Sequence, residues 1–286
     1  SEEYFLGGRK IPGWALGLSM VGTSISSITF LALPAAAFVL DYRQLTPNLF
    51  MPVAALIACW IFIPFFRRGL KTTAYEYLES RYGTGIRIYA ALYSLLGQLL
   101  RLAIILYLVV LPLSEMLDIS ESTAILAFGV ITCFYTVFGG IEAVVWTDVV
   151  QTVILLGGGL LCVAAVAFQL PGGLPQILEI GMEYDKFSLG PLDFSFSERT
   201  FWVMSLIGFI GFISEFSSNQ NVVQRYLAAP TLREARKATL LCIVMSLPTW
   251  IFFFFIGSCN TFSFRNFHRI CCIYSQLSVL SRYTGS

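Results

Sequence analysis

Ser19-Met20-Val21-Gly22-Thr23-Ser24-Ile25-Ser26-Ser27-Ile28-Thr29-Phe30-Leu31-Ala32-Leu33-Pro34 lies within an apolar run long enough to cross a bilayer, yet it is dense in hydroxyl side chains and holds a glycine and a closing proline. Serine and threonine divert backbone hydrogen bonds to their own side chains, glycine weakens the helical preference, and proline cannot donate. The stretch is therefore expected to unwind in mid-span and to expose carbonyl oxygens, which membrane proteins tolerate only where the backbone lines a cavity or meets a ligand. Small hard cations bind such carbonyls. The competing reading is a packing stripe, since small and hydroxyl residues also line helix interfaces in membranes.

The surrounding composition makes the chain a membrane protein. Of 286 residues, 57% are hydrophobic and 12% charged, with mean hydropathy +0.76, against about 25% charged in soluble domains. The formal charge of +1 and the lack of a Lys/Arg-rich block outside short connections exclude a nucleic-acid partner. Cys59, Cys133, Cys162 and Cys242 sit in apolar segments as small hydrophobes, and Cys259, Cys271 and Cys272 lie near the C-terminus without zinc or disulfide spacing. Residues 1–12 show neither the basic start nor the small-residue cleavage site of a signal peptide, and are expected to be a cytoplasmic entry segment.

Apolar runs near 13–39, 47–66, 86–114, 121–139, 146–170, 200–223 and 238–257 predict about seven spanning helices. Arg67, Arg68, Lys71, Arg81 and Arg87 gather in one connection, and Arg225, Arg233, Arg236 and Lys237 in another. Both are expected in the cytoplasm, which sets the N-terminus of the chain inside and the acidic connection 171–199 outside an inner, plasma membrane. The first and sixth spans then run in opposite directions, five helices apart. That is the internal symmetry of transporters built from inverted repeats, whose first helix is broken at the midplane. On this reading 13–170 is a first repeat of five helices, and 200–257 supplies the first two helices of a second.

Three further features carry chemistry. Asp148 lies one or two turns into an apolar run after Gly139-Gly140, where an ionised acid costs about 2.5–3.5 kcal/mol and requires a partner, a proton path or an ion. Gln98 and Arg101 are three apart, hence on one helix face, near mid-span. Arg101 is expected to meet either a solute carboxylate or Asp148 in a structural ion pair. A second polar patch, Ser214-Glu215-Phe216-Ser217-Ser218-Asn219-Gln220-Asn221, recurs in the sixth span ahead of Gln224-Arg225.

Several motifs in order resemble the sodium:solute symporter family: Tyr4-Phe5-Leu6-Gly7-Gly8-Arg9, the amphipathic Ala74-Tyr75-Glu76-Tyr77-Leu78-Glu79-Ser80-Arg81-Tyr82, Gly139 to Gln151, and Gln220-Asn221-Val222-Val223-Gln224-Arg225-Tyr226-Leu227-Ala228-Ala229. The resemblance runs to about residue 257. It implies an all-α multi-spanning protein with a partial LeuT-like inverted-repeat bundle. It also implies a sodium site at the carbonyls of Gly22 and Ile25, with Asp148 as an acid that binds a further sodium ion or supports coupling. Ser26, Thr29, Arg101, Asn48, Gln98, Asn219, Gln220 and Asn221 would face the solute, Arg101 like the arginine that sialic-acid members set against a carboxylate. Where sugar-transporting members carry an aromatic gate near residue 221, Asn221 argues against a simple hexose.

The function this implies is import of a small polar solute, such as a carboxylated sugar, coupled to sodium by alternating access, with a neutral sugar or polyol as the alternative. No covalent chemistry is expected. A metalloprotease's helical His-Glu-x-x-His is missing, and the single histidine, His268, lies in the stretch 258–286. That stretch loses the long apolar period and reads as an aberrant tail, as a frameshifted or truncated reading frame would produce. A non-transporting membrane remnant is therefore a further alternative.

Overall fold

In the computed structural model the described residues are 2–25, 28–68, 73–169, 175, 178, 182, 186–196 and 198–263, and their regular structure is entirely helical. In chain order the α-helices are α1 (Glu2–Leu6), α2 (Gly13–Ser24), α3 (Leu33–Val39), α4 (Met51–Ile57), α5 (Ile63–Arg68), α6 (Ala74–Tyr82), α7 (Thr84–Leu117), α8 (Glu121–Gln169), α9 (Phe201–Ser218), α10 (Gln220–Ala228) and α11 (Leu232–Ser263). Five helical stretches are long and apolar enough to cross a membrane, or six when the interrupted first span is included. The expected fourth span appears as a shorter apolar helix, Glu121–Phe134, ahead of a kink in α8.

The first span is interrupted as its composition requires. Helix α2 ends at Ser24, Ile25 is a bend, and the next described residues form a π-turn, Ile28–Ala32, before Pro34 enters the first turn of α3. Proline is well placed there, because the first turn of a helix has no use for its missing N–H. A second π-turn, Ala58–Phe62, separates α4 from α5. Such a turn disturbs the regular carbonyl ladder. The carbonyl of Cys59 accepts a 2.9 Å bond from Nε of Arg236, whose guanidinium lies 5.0 Å from the centre of the Trp60 ring.

Helix α8 bends at Gly140, which adopts φ 60° and ψ −159°, a region open in practice only to glycine. A Cβ there would stand 2.8 Å from the carbonyl oxygen of Tyr4. The same tyrosine donates from its hydroxyl to the carbonyl of Val137 at 2.8 Å, three residues before the bend. Gly140 thus ends one helix, starts the next and admits the N-terminal segment.

The chain divides into two compact units. The first comprises residues 1–24, 54–151 and 213–243; the second comprises 25–53, 152–212 and 244–286. In the first, Leu6, Val223 and Leu227 form a buried cluster against Phe66 and Ala74, with Phe216 and Tyr226 also buried. In the second, Phe253 and Phe254 are buried, and Tyr42 bonds Ser258 at 3.0 Å. Lys186 donates to the carbonyls of Phe38 and Leu40 at the end of α3, at 2.8 and 2.9 Å. Burial in the connection holds the Lys186 pKa below its ordinary value, against the opposing pull of Asp41.

Candidate functional site

The acid singled out by the sequence lies at the centre of a buried polar triangle in the first unit. Oδ2 of Asp148 accepts from Oγ of Ser19 at 2.6 Å and from Nη2 of Arg225 at 2.8 Å. Nε of Arg225 donates to the same Ser19 oxygen at 2.8 Å, closing the triangle, and Nη1 donates to the carbonyl of Asn221 at 2.8 Å. The Arg225 side chain is 6% exposed and that of Asp148 16%. The hydroxyl of Ser19 fits here because it can donate and accept at once.

The partner is a correction to the sequence reading. Arg101 was the expected ion-pair candidate, and Arg225 was counted with a basic cytoplasmic connection. Instead Arg225 belongs to α10, buried among Val222, Val223, Tyr226, Leu227 and Ala228. The missed signal was this apolar context, since an arginine in an uncharged run of residues must either reach water or find an acid.

Helix α10 is held at both ends, which fixes Arg225. At its start Asn219 is the N-cap, accepting from the backbone N–H of Asn221 at 3.0 Å while its own amide donates to Glu215 at 2.8 Å. Oε1 of Gln220 accepts from the backbone N–H of Ala74, and Gln224 donates to the carbonyl of Phe5. At its end Arg67 donates to the carbonyls of Tyr226 and Ala229, both at 2.7 Å, and of Pro230 at 3.2 Å. Terminal helix carbonyls lack intrahelical donors, and a cation among them also suits the helix dipole.

The other sequence candidates fall as follows. Gly22 is in α2, with Asp148, Gln98, Arg101, Asn219, Gln220 and Asn221 also in the first unit; Ile25, Thr29 and Asn48 are in the second. Ile25 and Thr29 are buried, and Asn48 is half-buried in the 3-10 segment Tyr42–Phe50. Ser26 lies outside the described residues. Gln98 and Asn219 line one cavity of about 680 Å³ in the first unit. Arg101 is half-buried on α7, one turn beyond Gln98, and makes no ion pair or hydrogen bond among the described residues. Its guanidinium therefore has no anionic partner among the described residues.

The profile of the sodium:solute symporter family matches residues 4–273. The chain is 35% identical to the sodium/sialic acid symporter NanT of Aliivibrio fischeri and 36% identical to the sodium/sialic acid symporter SiaT of Proteus mirabilis, in each case over 90% of its own length. It spans about half the length of these curated relatives, 51% and 52%. A solved structure of a Na+-coupled sialic acid symporter, in a substrate-bound outward-open state, is similar with a TM-score of 0.88 and 34% identity, covering 93% of this chain and 57% of that one. The match extends past residue 257, where the motifs were expected to end, and α11 itself continues to Ser263. The alternating order of broken span, Gly-Gly kink, buried acid and capped α10 is therefore that of a multi-pass membrane protein belonging to the sodium:solute symporter family.

Proposed function

We propose that the protein acts as a sodium-coupled symporter, importing a small carboxylated solute of the sialic-acid class by alternating access across the plasma membrane, with the N-terminus of this chain in the cytoplasm. The observation that carries this reading is the similarity over nine-tenths of the chain to two sodium/sialic acid symporters. Arg101 supports it, because a half-buried arginine with no anion among the described residues is suited to a carboxylate, which its planar fork can bind through two parallel bonds. A neutral sugar or polyol makes no such use of a fixed positive charge.

In this mechanism the solute-facing roles belong to Gln98, Arg101, Asn219, Gln220 and Asn221 in the first unit and to Ser26, Thr29 and Asn48 in the second. Sodium binds the carbonyls of Gly22 and Ile25, which flank the interruption of the first span, and favours the solute-accepting conformation. Asp148 is a second cation position. In the conformation described, Arg225 neutralises it. A sodium ion at Asp148 then has to share the carboxylate with Arg225 or displace it, which links ion binding to the position of α10. Solute and ion are moved without covalent change, so no enzymatic step is assigned.

Uptake of radiolabelled sialic acid into proteoliposomes, with sodium or potassium outside, tests the proposal. Accumulation in sodium and none in potassium is the expected result. Equal uptake in both media overturns sodium coupling, and an Arg101→Ala variant with unchanged apparent affinity overturns the carboxylate role.

A further inference from the structure

Arg236 is fixed by a gap in the hydrogen bonding of a neighbouring helix. At the π-turn Ala58–Phe62 the N–H of Ile63 donates to the carbonyl of Ala58, and the next residue, Pro64, has no N–H to offer. The carbonyl of Cys59 is thereby left for a donor from outside, and Nε of Arg236 supplies it at 2.9 Å. One face of the same guanidinium is taken by the Trp60 ring, 5.0 Å away at its centre. Nη1 and Nη2 make no hydrogen bond among the described residues. A rigid pair of unused donors matches two oxygens of one phosphate.

The surroundings decide which kind of phosphate. Leu56, Trp60 and Ile61 on the span that carries the π-turn are exposed, as is Leu240, which follows Arg236 by four residues and shares its face of α11. Three residues before Arg236 on that face, Arg233 is exposed and has no ion pair among the described residues. The face therefore passes from charge to hydrocarbon within two turns. Lys237 is held by Glu234 at 2.8 Å, so Arg233 and Arg236 carry the uncompensated charge. Trp60 lies about 10 Å of helix from Arg67, by the rise per residue, and tryptophan gathers where headgroups meet acyl chains. A guanidinium at that level is costly without an acceptor. A free phosphate ion would leave the exposed leucines and Trp60 unused, whereas a phospholipid covers them with its chains.

We propose that Arg236, Arg233 and Trp60 form a binding site for an anionic glycerophospholipid. The Arg236 fork holds the phosphate, Arg233 faces the headgroup, and an acyl chain lies along Leu240 and Leu56. The site lies within the first unit and is independent of which solute the protein carries.

Fluorescence quenching by dibrominated lipids, with the purified protein in phosphatidylcholine vesicles, tests this. The difference between the wild type and Trp60→Phe isolates the signal of Trp60, whose side chain is 72% exposed. Dibrominated phosphatidylglycerol is expected to quench that signal at a lower mole fraction than dibrominated phosphatidylcholine, each arginine contributing about fivefold to the preference. Arg236→Gln, measured with its own Trp60→Phe control, should lose that factor while quenching by phosphatidylcholine is unchanged. Should Arg236→Gln not fold, Arg233→Gln carries the same expectation from an exposed position. Equal quenching by the two lipids, a Trp60 that neither lipid reaches, or an unaltered preference in the arginine variants overturns the proposal. Displacement of the brominated lipid by inorganic phosphate in the medium also overturns it, by making the ligand a soluble anion.

Discussion

Arg225 and Arg101 occupy opposite situations. Arg225 is buried on a short helix, and its guanidinium is spent on Asp148, Ser19 and the carbonyl of Asn221. Arg101 sits midway along a 34-residue helix whose apolar side chains largely face outward, and it has no protein acceptor among the described residues. The first arrangement is complete without a ligand; under the proposed function the second is completed by one. Removing each arginine should therefore fail differently, in folding for Arg225 and in solute binding for Arg101.

The largest effect is expected from Arg225→Leu, which leaves Asp148 buried and unpaired at a cost of about 3–5 kcal/mol. Chemical denaturation in detergent checks this, and the uncharged pair Asp148→Asn with Arg225→Gln should recover most of the loss. A mild single variant would mean that water or another cation reaches Asp148. Next, Arg101→Ala should cost solute affinity about 2–5 kcal/mol, as for truncation of a buried charged contact, while unfolding shifts by no more than about 0.5 kcal/mol. Equilibrium binding and denaturation on the same preparation separate the two effects. Loss of stability without loss of affinity would erase the contrast between the arginines.

Smaller effects probe what holds α10 in place. Arg67→Met removes the donor to three carbonyls and should destabilise by about 2 kcal/mol, in the range for hydrogen bonds from a charged group. Gly140→Ala forces a side chain into the positive-φ region and against the carbonyl of Tyr4, at about 1–3 kcal/mol. Increased proteolysis near the N-terminus is the accompanying readout. Asn219→Ala, which removes the cap of α10, should cost about 1 kcal/mol. A loss as large as that of Arg225→Leu would show that Asn219 does more than cap.

Much of this arrangement was legible in the chain because its causes are local. The hydroxyls around Gly22 and the following Pro34 interrupt the first span through their own backbone chemistry, and an Asp148 in an apolar run demands neutralisation wherever it packs. Gly139-Gly140 marked a motif, although its reason, the approach of Tyr4 from more than a hundred residues away, could not be read from neighbours in sequence. Arg225 was misread for the same reason. Its proximity to Arg233, Arg236 and Lys237 suggested a solvated basic connection, and only the burial of α10 distinguishes it from them. Arg67 likewise counted as a topology marker, whereas its carbonyl partners lie some 160 residues on.

By itself, then, the amino-acid order determined the membrane character, the apolar runs, the break in the first span and the need of Asp148 for a counter-charge. Each follows from the solvation and backbone preferences of residues within a turn or two of one another. The tertiary structure alone decided which cation meets that acid, because Asp148 and Arg225 stand 77 positions apart and either arginine was chemically competent. Only packing excludes water around one of them, and there the ion pair is strong enough to matter.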